Sequence, residues 1–105
     1  MDSPYRYALT PSAVKDLDDM LTYITERLSA RESVLRLLDA IENAIREACR
    51  FPQSALPVND PLLRGRGYRK LIVENYLVLF IPDDERRALN VMRVVYYARD
   101  YMKEL

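Results

Sequence analysis

The chain has 105 residues, half of them hydrophobic, with sixteen basic and sixteen acidic side chains, one cysteine and no histidine. That size and composition fit one compact domain over residues 1–105. Zero net charge argues against a strongly basic nucleic-acid binder. The missing histidine excludes a Ser-His-Asp triad, a His-based acid–base pair and a His-containing metal site, and a lone Cys49 excludes an intrachain disulfide or a thiolate metal site, so no metal or cofactor is expected.

The first four residues lack the basic-then-apolar pattern of a signal peptide, and residues 76–81, the longest apolar run, are too short to cross a bilayer. A reducing cytoplasm is the expected compartment, with no membrane partner. Charge is unevenly placed. Residues 1–50 hold seven bases and nine acids, giving −2, and residues 51–105 hold nine bases and seven acids, giving +2. Arg64, Arg66, Arg69 and Lys70 face only Glu74 within residues 62–82, which makes a local positive patch.

Residues 5–9 read as a short strand, with tyrosines at alternate positions 5 and 7. Thr10-Pro11 then starts a helix: threonine can cap free N–H groups, and proline suits the first helical position. Val14, Leu17, Leu21, Ile24 and Leu28 follow at three- and four-residue steps and define its apolar face. Ser29 to Glu32 matches a capping box for a second helix, which runs to about Arg50 on a stripe of Val34, Leu37, Leu38, Ile41, Ile45 and Ala48. The short connection predicts an antiparallel helical hairpin. Cys49 falls at helical spacing after Ile45 and is expected to be buried.

Phe51-Pro52 ends the second helix, and residues 52–67, with three prolines and two glycines, read as loop. Residues 68–73, 76–81 and 90–97 are β-rich, with Glu74-Asn75 as a tight turn, where asparagine tolerates positive φ, and residues 82–85 as a second turn. Residues 76–81 are apolar on both faces and should form the central strand. Residues 98–105 read as a last helical turn or tail. Asp83, Asp84 and Glu85 lack the ligand spacing of a calcium loop and read as a solvated turn. The fold class is α+β, in the order β-α-α-β-β-β: an antiparallel sheet with an N-terminal strand and the helical hairpin on one face.

In that order, three segments resemble the RelE/ParE superfamily of toxins: Leu9-Thr10-Pro11-Ser12-Ala13 with Asp16-Leu17; residues 68–78, which fit an R-x-L-x-V-x-x-Y-x-V hairpin; and residues 91–100, ending in Arg99-Asp100. The resemblance covers nearly the whole chain. It implies the toxin half of a type II toxin–antitoxin pair, with a cognate antitoxin as partner and operator DNA reached only through that antitoxin. It also implies a target. RelE-like and YoeB-like members cleave mRNA on the ribosome, whereas ParE-like members inhibit DNA gyrase.

Cleavage by 2′-hydroxyl attack needs a base, cations around the phosphate and an acid for the leaving oxygen. The candidates are Arg69, Arg93 and Tyr97, with Arg64, Arg66, Lys70, Tyr96 and Arg99 as nucleic-acid or target contacts. Arginine suits phosphate through its planar fork, and tyrosine can donate a proton or stack on a base. On this reading Arg69 and Arg93 share an open sheet face opposite the helices. The competing reading is structural. Arg69 and Lys70 are then solvent-facing strand residues, Arg93 pairs with Glu74 or Asp100, and the tyrosines pack against the helices. Three departures from the cleaving branches favour gyrase. No arginine stands at Tyr76 or Leu77, Tyr96-Tyr97 replaces a His-Tyr pair, and the chain has only three lysines. An inactive homologue that serves only as antitoxin partner or co-repressor is the remaining alternative.

Overall fold

The computed structural model describes residues 4–28 and 31–96. The predicted capping box at Ser29 and Ala30 and the predicted tail at residues 98–105 lie outside them. The elements are β1 (Arg6–Leu9), α1 (Pro11–Leu28), α2 (Arg31–Arg50), a 3-10 turn (Pro52–Ser54), β2 (Leu56–Pro57), α3 (Pro61–Gly65), β3 (Arg69–Val73), β4 (Tyr76–Asp83) and β5 (Ala88–Tyr96). The α+β class holds. The sheet is mixed, in the order β1-β5-β4-β3-β2, with β4 in the centre as its two apolar faces predict. β3, β4 and β5 form an antiparallel meander, and β1 joins β5 in parallel, because the chain crosses the whole helical hairpin before it returns to the sheet.

α2 buries Val34, Leu37, Ile41, Ile45, Ala48 and Cys49, close to the predicted stripe. α1 is rotated from its predicted face. Ala13, Leu17, Met20 and Ile24 pack inward, while Val14 and Leu21 stay 43% and 39% exposed. Polar anchors set this rotation. Thr10 caps the helix as predicted, accepting the Ala13 N–H at 3.1 Å, and its hydroxyl also donates to the Met92 carbonyl at 3.0 Å. A second anchor, Asp16, binds the same strand two helical turns on.

The helices cover one sheet face, where Phe80, Val78, Leu89, Val91 and Val94 join the core. The expectation that the other face stays open is corrected. Val58 and Leu63 close over Leu77, Leu79 and Val95, with Tyr68 at the rim. Residues 52–67 therefore carry structure where the sequence read loop. Pro52 and Pro61 start short helices, Pro57 sits in edge strand β2, and Asp60 caps α3 by accepting the Leu63 N–H at 3.0 Å. Gly67 leaves α3 at φ +87°, a backbone region where side chains are strained.

Two turns also differ from expectation. At the β3–β4 turn the positive φ, 54°, falls on Glu74 rather than Asn75, and Arg36 of α2 donates to the Glu74 carboxylate at 2.9 Å. β4 runs on through Pro82 to Asp83, and β5 begins at Ala88, two residues before its predicted start. The acids between them are engaged: Asp83 accepts the Arg86 N–H at 3.1 Å, and Asp84 accepts the Tyr5 hydroxyl at 2.7 Å. Among the described residues no helix is long and apolar enough to cross a membrane.

Candidate functional site

Arg69 opens β3 opposite Phe80, so it leaves the sheet on the helix-covered face, in line with Leu71 and Val73. Its guanidinium donates to the Ala55 carbonyl at 2.6 Å and to the Gln53 side chain at 2.5 Å. Arg69 thus ties β3 to the turn that follows α2.

Arg93 lies opposite Leu79, so it leaves β5 on the other face. Met92 is the extra residue of a β-bulge there, since Phe80 pairs with Val91 and Leu79 with Arg93. β1 pairs with β5 only as far as Val91, and among the described residues no strand pairs with the edge beyond. Asp16 fills that edge. One carboxylate oxygen accepts the Val94 N–H at 2.9 Å and Arg93 Nε at 2.7 Å, and the other accepts Arg93 Nη2 at 3.0 Å. The Arg93 side chain therefore bends round the strand edge to form a two-pronged pair with α1, with the two side chains only 25% and 14% exposed. Asp16 is its partner in this pair, while Glu74 accepts from Arg36 and Asp100 lies outside the described residues.

Arg69 and Arg93 are thus not brought together, and the shared arginine face expected from sequence does not form. Around the Asp16–Arg93 pair opens a half-enclosed cleft of about 750 Å³ between α1, the β3–β4 turn and the end of β5. Met20, Tyr23, Ile24, Tyr76 and Tyr96 supply its apolar and aromatic walls, and Asp19 and Asn75 its polar rim. Tyr96 meets Tyr76 edge-on, with ring centres 5.4 Å apart. Asp19 is held by Lys15 at 2.8 Å, an exposed pair that also raises the Lys15 ammonium pKa.

Lys70 projects on the second sheet face, opposite Leu56 and Leu79. Arg64 and Arg66 stand exposed at the end of α3, on the cover over that face. Tyr97 and Arg99 lie outside the described residues. Among the described residues no cluster of acids and cysteine could hold a metal ion. Cys49 is buried, and burial pushes its thiol pKa up, which disfavours the reactive thiolate. The cleft can bind aromatic or apolar groups, but the part-buried Asp16 carboxylate has its oxygens engaged by Arg93 and the Val94 amide.

The family model for the ParE toxin of type II toxin-antitoxin system, parDE, matches residues 7–101. The chain belongs to this toxin family. The match runs from within β1 through β5 and includes the residues that line the cleft. Two solved structures are similar in fold. One is a chain of the RelBE2 toxin–antitoxin complex from Mycobacterium tuberculosis, at 22% identity and TM-score 0.63, covering 94% of this chain and 98% of that one. The other is a chain of the chromosomal ParDE system of P. aeruginosa, at 17% identity and TM-score 0.68, covering 88% and 95%. No curated relative matches the sequence.

Sequence reasoning for this ParE-family toxin missed Asp16, Tyr23 and Tyr76 as cleft residues. Asp16 lies off the apolar stripe of α1, as do Asp18, Asp19 and Glu26. A signal existed in its spacing: Thr10, Ala13, Asp16, Leu17 and Met20 share the helix face that meets β5.

Proposed function

We propose that this ParE-family toxin arrests growth by binding DNA gyrase in the cytoplasm, and that a cognate antitoxin holds it inactive and links the pair to operator DNA. One observation carries the preference for binding over RNA cleavage. The two arginines on which cleavage would depend leave the sheet on different faces, Arg93 towards Asp16 and Arg69 towards Ala55 and Gln53. A phosphate in flight needs cations converging on one point. A chain without histidine also offers no ordinary general base near neutral pH. Inhibition by binding requires a surface alone, and the exposed Arg64 and Arg66, with half-buried Lys70, supply its cationic part. The antitoxin expectation is supported by both solved neighbours being toxin–antitoxin complexes.

The test is DNA supercoiling by purified gyrase with increasing amounts of the full chain. Loss of supercoiling is expected, and unchanged supercoiling at saturating toxin would refute the gyrase reading. Cleavage of mRNA on translating ribosomes, lost in Arg93→Ala, would establish the enzyme instead. Harmless induction without any antitoxin would mark an inactive homologue.

A further inference from the structure

The second face of the sheet is covered over β4 and β5 and bare beside them. Val58 and Leu63 close over Leu77, Leu79 and Val95. Strand register sets Ile72 opposite Leu77, Lys70 opposite Leu79, and Leu56 opposite Lys70. Ile72, Lys70 and Leu56 therefore lie on this face, next to the cover. Leu56 and Ile72 are diagonal neighbours across β2 and β3, roughly 7–8 Å apart. Ile72 is 56% exposed, Leu56 58%, and Leu62 of α3 65%. One exposed leucine is ordinary, but three aliphatic side chains beside one lysine make a patch.

The same patch carries cations without counter-charges. Residues 51–73 hold Arg64, Arg66, Arg69 and Lys70 but a single acid, Asp60. Arg69 is tied to Ala55 and Gln53 on the other face, and Asp60 caps α3. Arg64, Arg66 and Lys70 form no ion pair among the described residues. Leu62 and Arg66 are one helical turn apart at α3, so an aliphatic and a cationic side chain share its outer side while Leu63 points into the core.

We propose that gyrase docks on this surface through an acidic element whose own aliphatic side chains cover Leu56, Leu62 and Ile72 while its carboxylates meet Arg64, Arg66 and Lys70. The inference rests on the gyrase reading above and adds the surface used and the chemistry of the element that meets it. Aliphatic contact supplies buried area, and the guanidinium forks select carboxylates. A second copy of this chain is disfavoured here, because it would set like charges against each other. Nucleic acid would match the cations alone and leave the aliphatic side chains without a partner. The surface is separate from the cleft beside Asp16.

The experiment measures binding of the full chain to immobilised purified gyrase by biolayer interferometry. Saturable binding is expected, slower to form as salt rises. Arg64→Glu/Arg66→Glu should weaken it by about tenfold or more. Arg27→Glu/Arg31→Glu makes the same charge change on exposed residues of the helical hairpin and should stay within about twofold of wild type. Leu56→Thr/Ile72→Thr removes aliphatic surface without touching charge and should also cost about tenfold. Should that variant lose the wild-type circular dichroism spectrum, the two arginine variants, altered only at exposed positions, decide the matter. Wild type that does not bind gyrase overturns this inference together with the gyrase reading. Wild type that binds while Arg64→Glu/Arg66→Glu stays within twofold, or while the hairpin variant loses as much, overturns this inference alone. Binding of duplex DNA without gyrase, lost in Arg64→Glu/Arg66→Glu, would mark a nucleic-acid surface and overturn it as well.

Discussion

Replacing Asp16 by alanine removes three hydrogen bonds at one stroke: two from Arg93, at 2.7 and 3.0 Å, and one from the Val94 amide, at 2.9 Å. Breaking a fully buried ion pair by deleting one partner costs about 3–5 kcal/mol. The Arg93 side chain is 25% exposed, so water recovers part of that loss. The Val94 amide, at a strand edge beside a helix, adds an unsatisfied donor that costs about 1–3 kcal/mol where water cannot reach it. The net expectation is a loss of about 2–4 kcal/mol, a large share of the stability of a small domain. With a urea slope of about 1.5 kcal/mol/M, the unfolding midpoint should fall by about 1.3–2.7 M. Asp16→Asn keeps an acceptor for the amide but loses the charge, and should lie between wild type and alanine. Arg93→Ala should cost less than Asp16→Ala, because the carboxylate keeps the Val94 N–H. The double variant should show coupling of about 1 kcal/mol or more between the two residues. A midpoint shift under about 0.5 M in Asp16→Ala, at unchanged slope, would refute the role given to this pair.

Asp60→Ala removes the cap of α3 and should cost about 1 kcal/mol, loosening the cover over Leu77 and Leu79. Hydrogen exchange at residues 61–66 should speed up, while exchange in α2 stays unchanged. For Cys49 the raised thiol pKa fixes a sign. The folded thiol keeps its proton at pH values where the unfolded chain has lost it, so unfolding is favoured in alkali. Stability should be flat with respect to this group below the ordinary thiol value of 9.0 and should fall as pH rises above it. Cys49→Ala should lack that fall, measured as urea midpoints across the alkaline range. An equal fall in the variant would show that Cys49 does not produce it.

Much of this toxin was legible in local pattern. Thr10-Pro11 announced α1, and the α2 stripe from Val34 to Ala48 named its buried face, because helical periodicity is a property of neighbours in sequence. The run at residues 76–81, apolar on both faces, marked the central strand for the same reason, since both sides of β4 are covered. The order of these elements, with the motifs they carry, was enough to identify the superfamily.

What the sequence could not supply were matters decided between distant segments. The Arg93–Asp16 pair joins residues 77 positions apart, and the spacing that puts Asp16 on one helix face with Thr10 and Ala13 does not say that β5 is what this face meets. Arg69 and Arg93 lie on adjacent parts of one sheet, yet strand register and the bulge at Met92 send them to different faces. The cover over the second face depends on Asp60 capping a helix of only five residues, too short to show a period. Periodicity fixes which residues of one element agree with one another. Only the packed sheet decides which partner each side chain meets, because that choice rests on the rotation of α1, the phase of β1 and the register of β5.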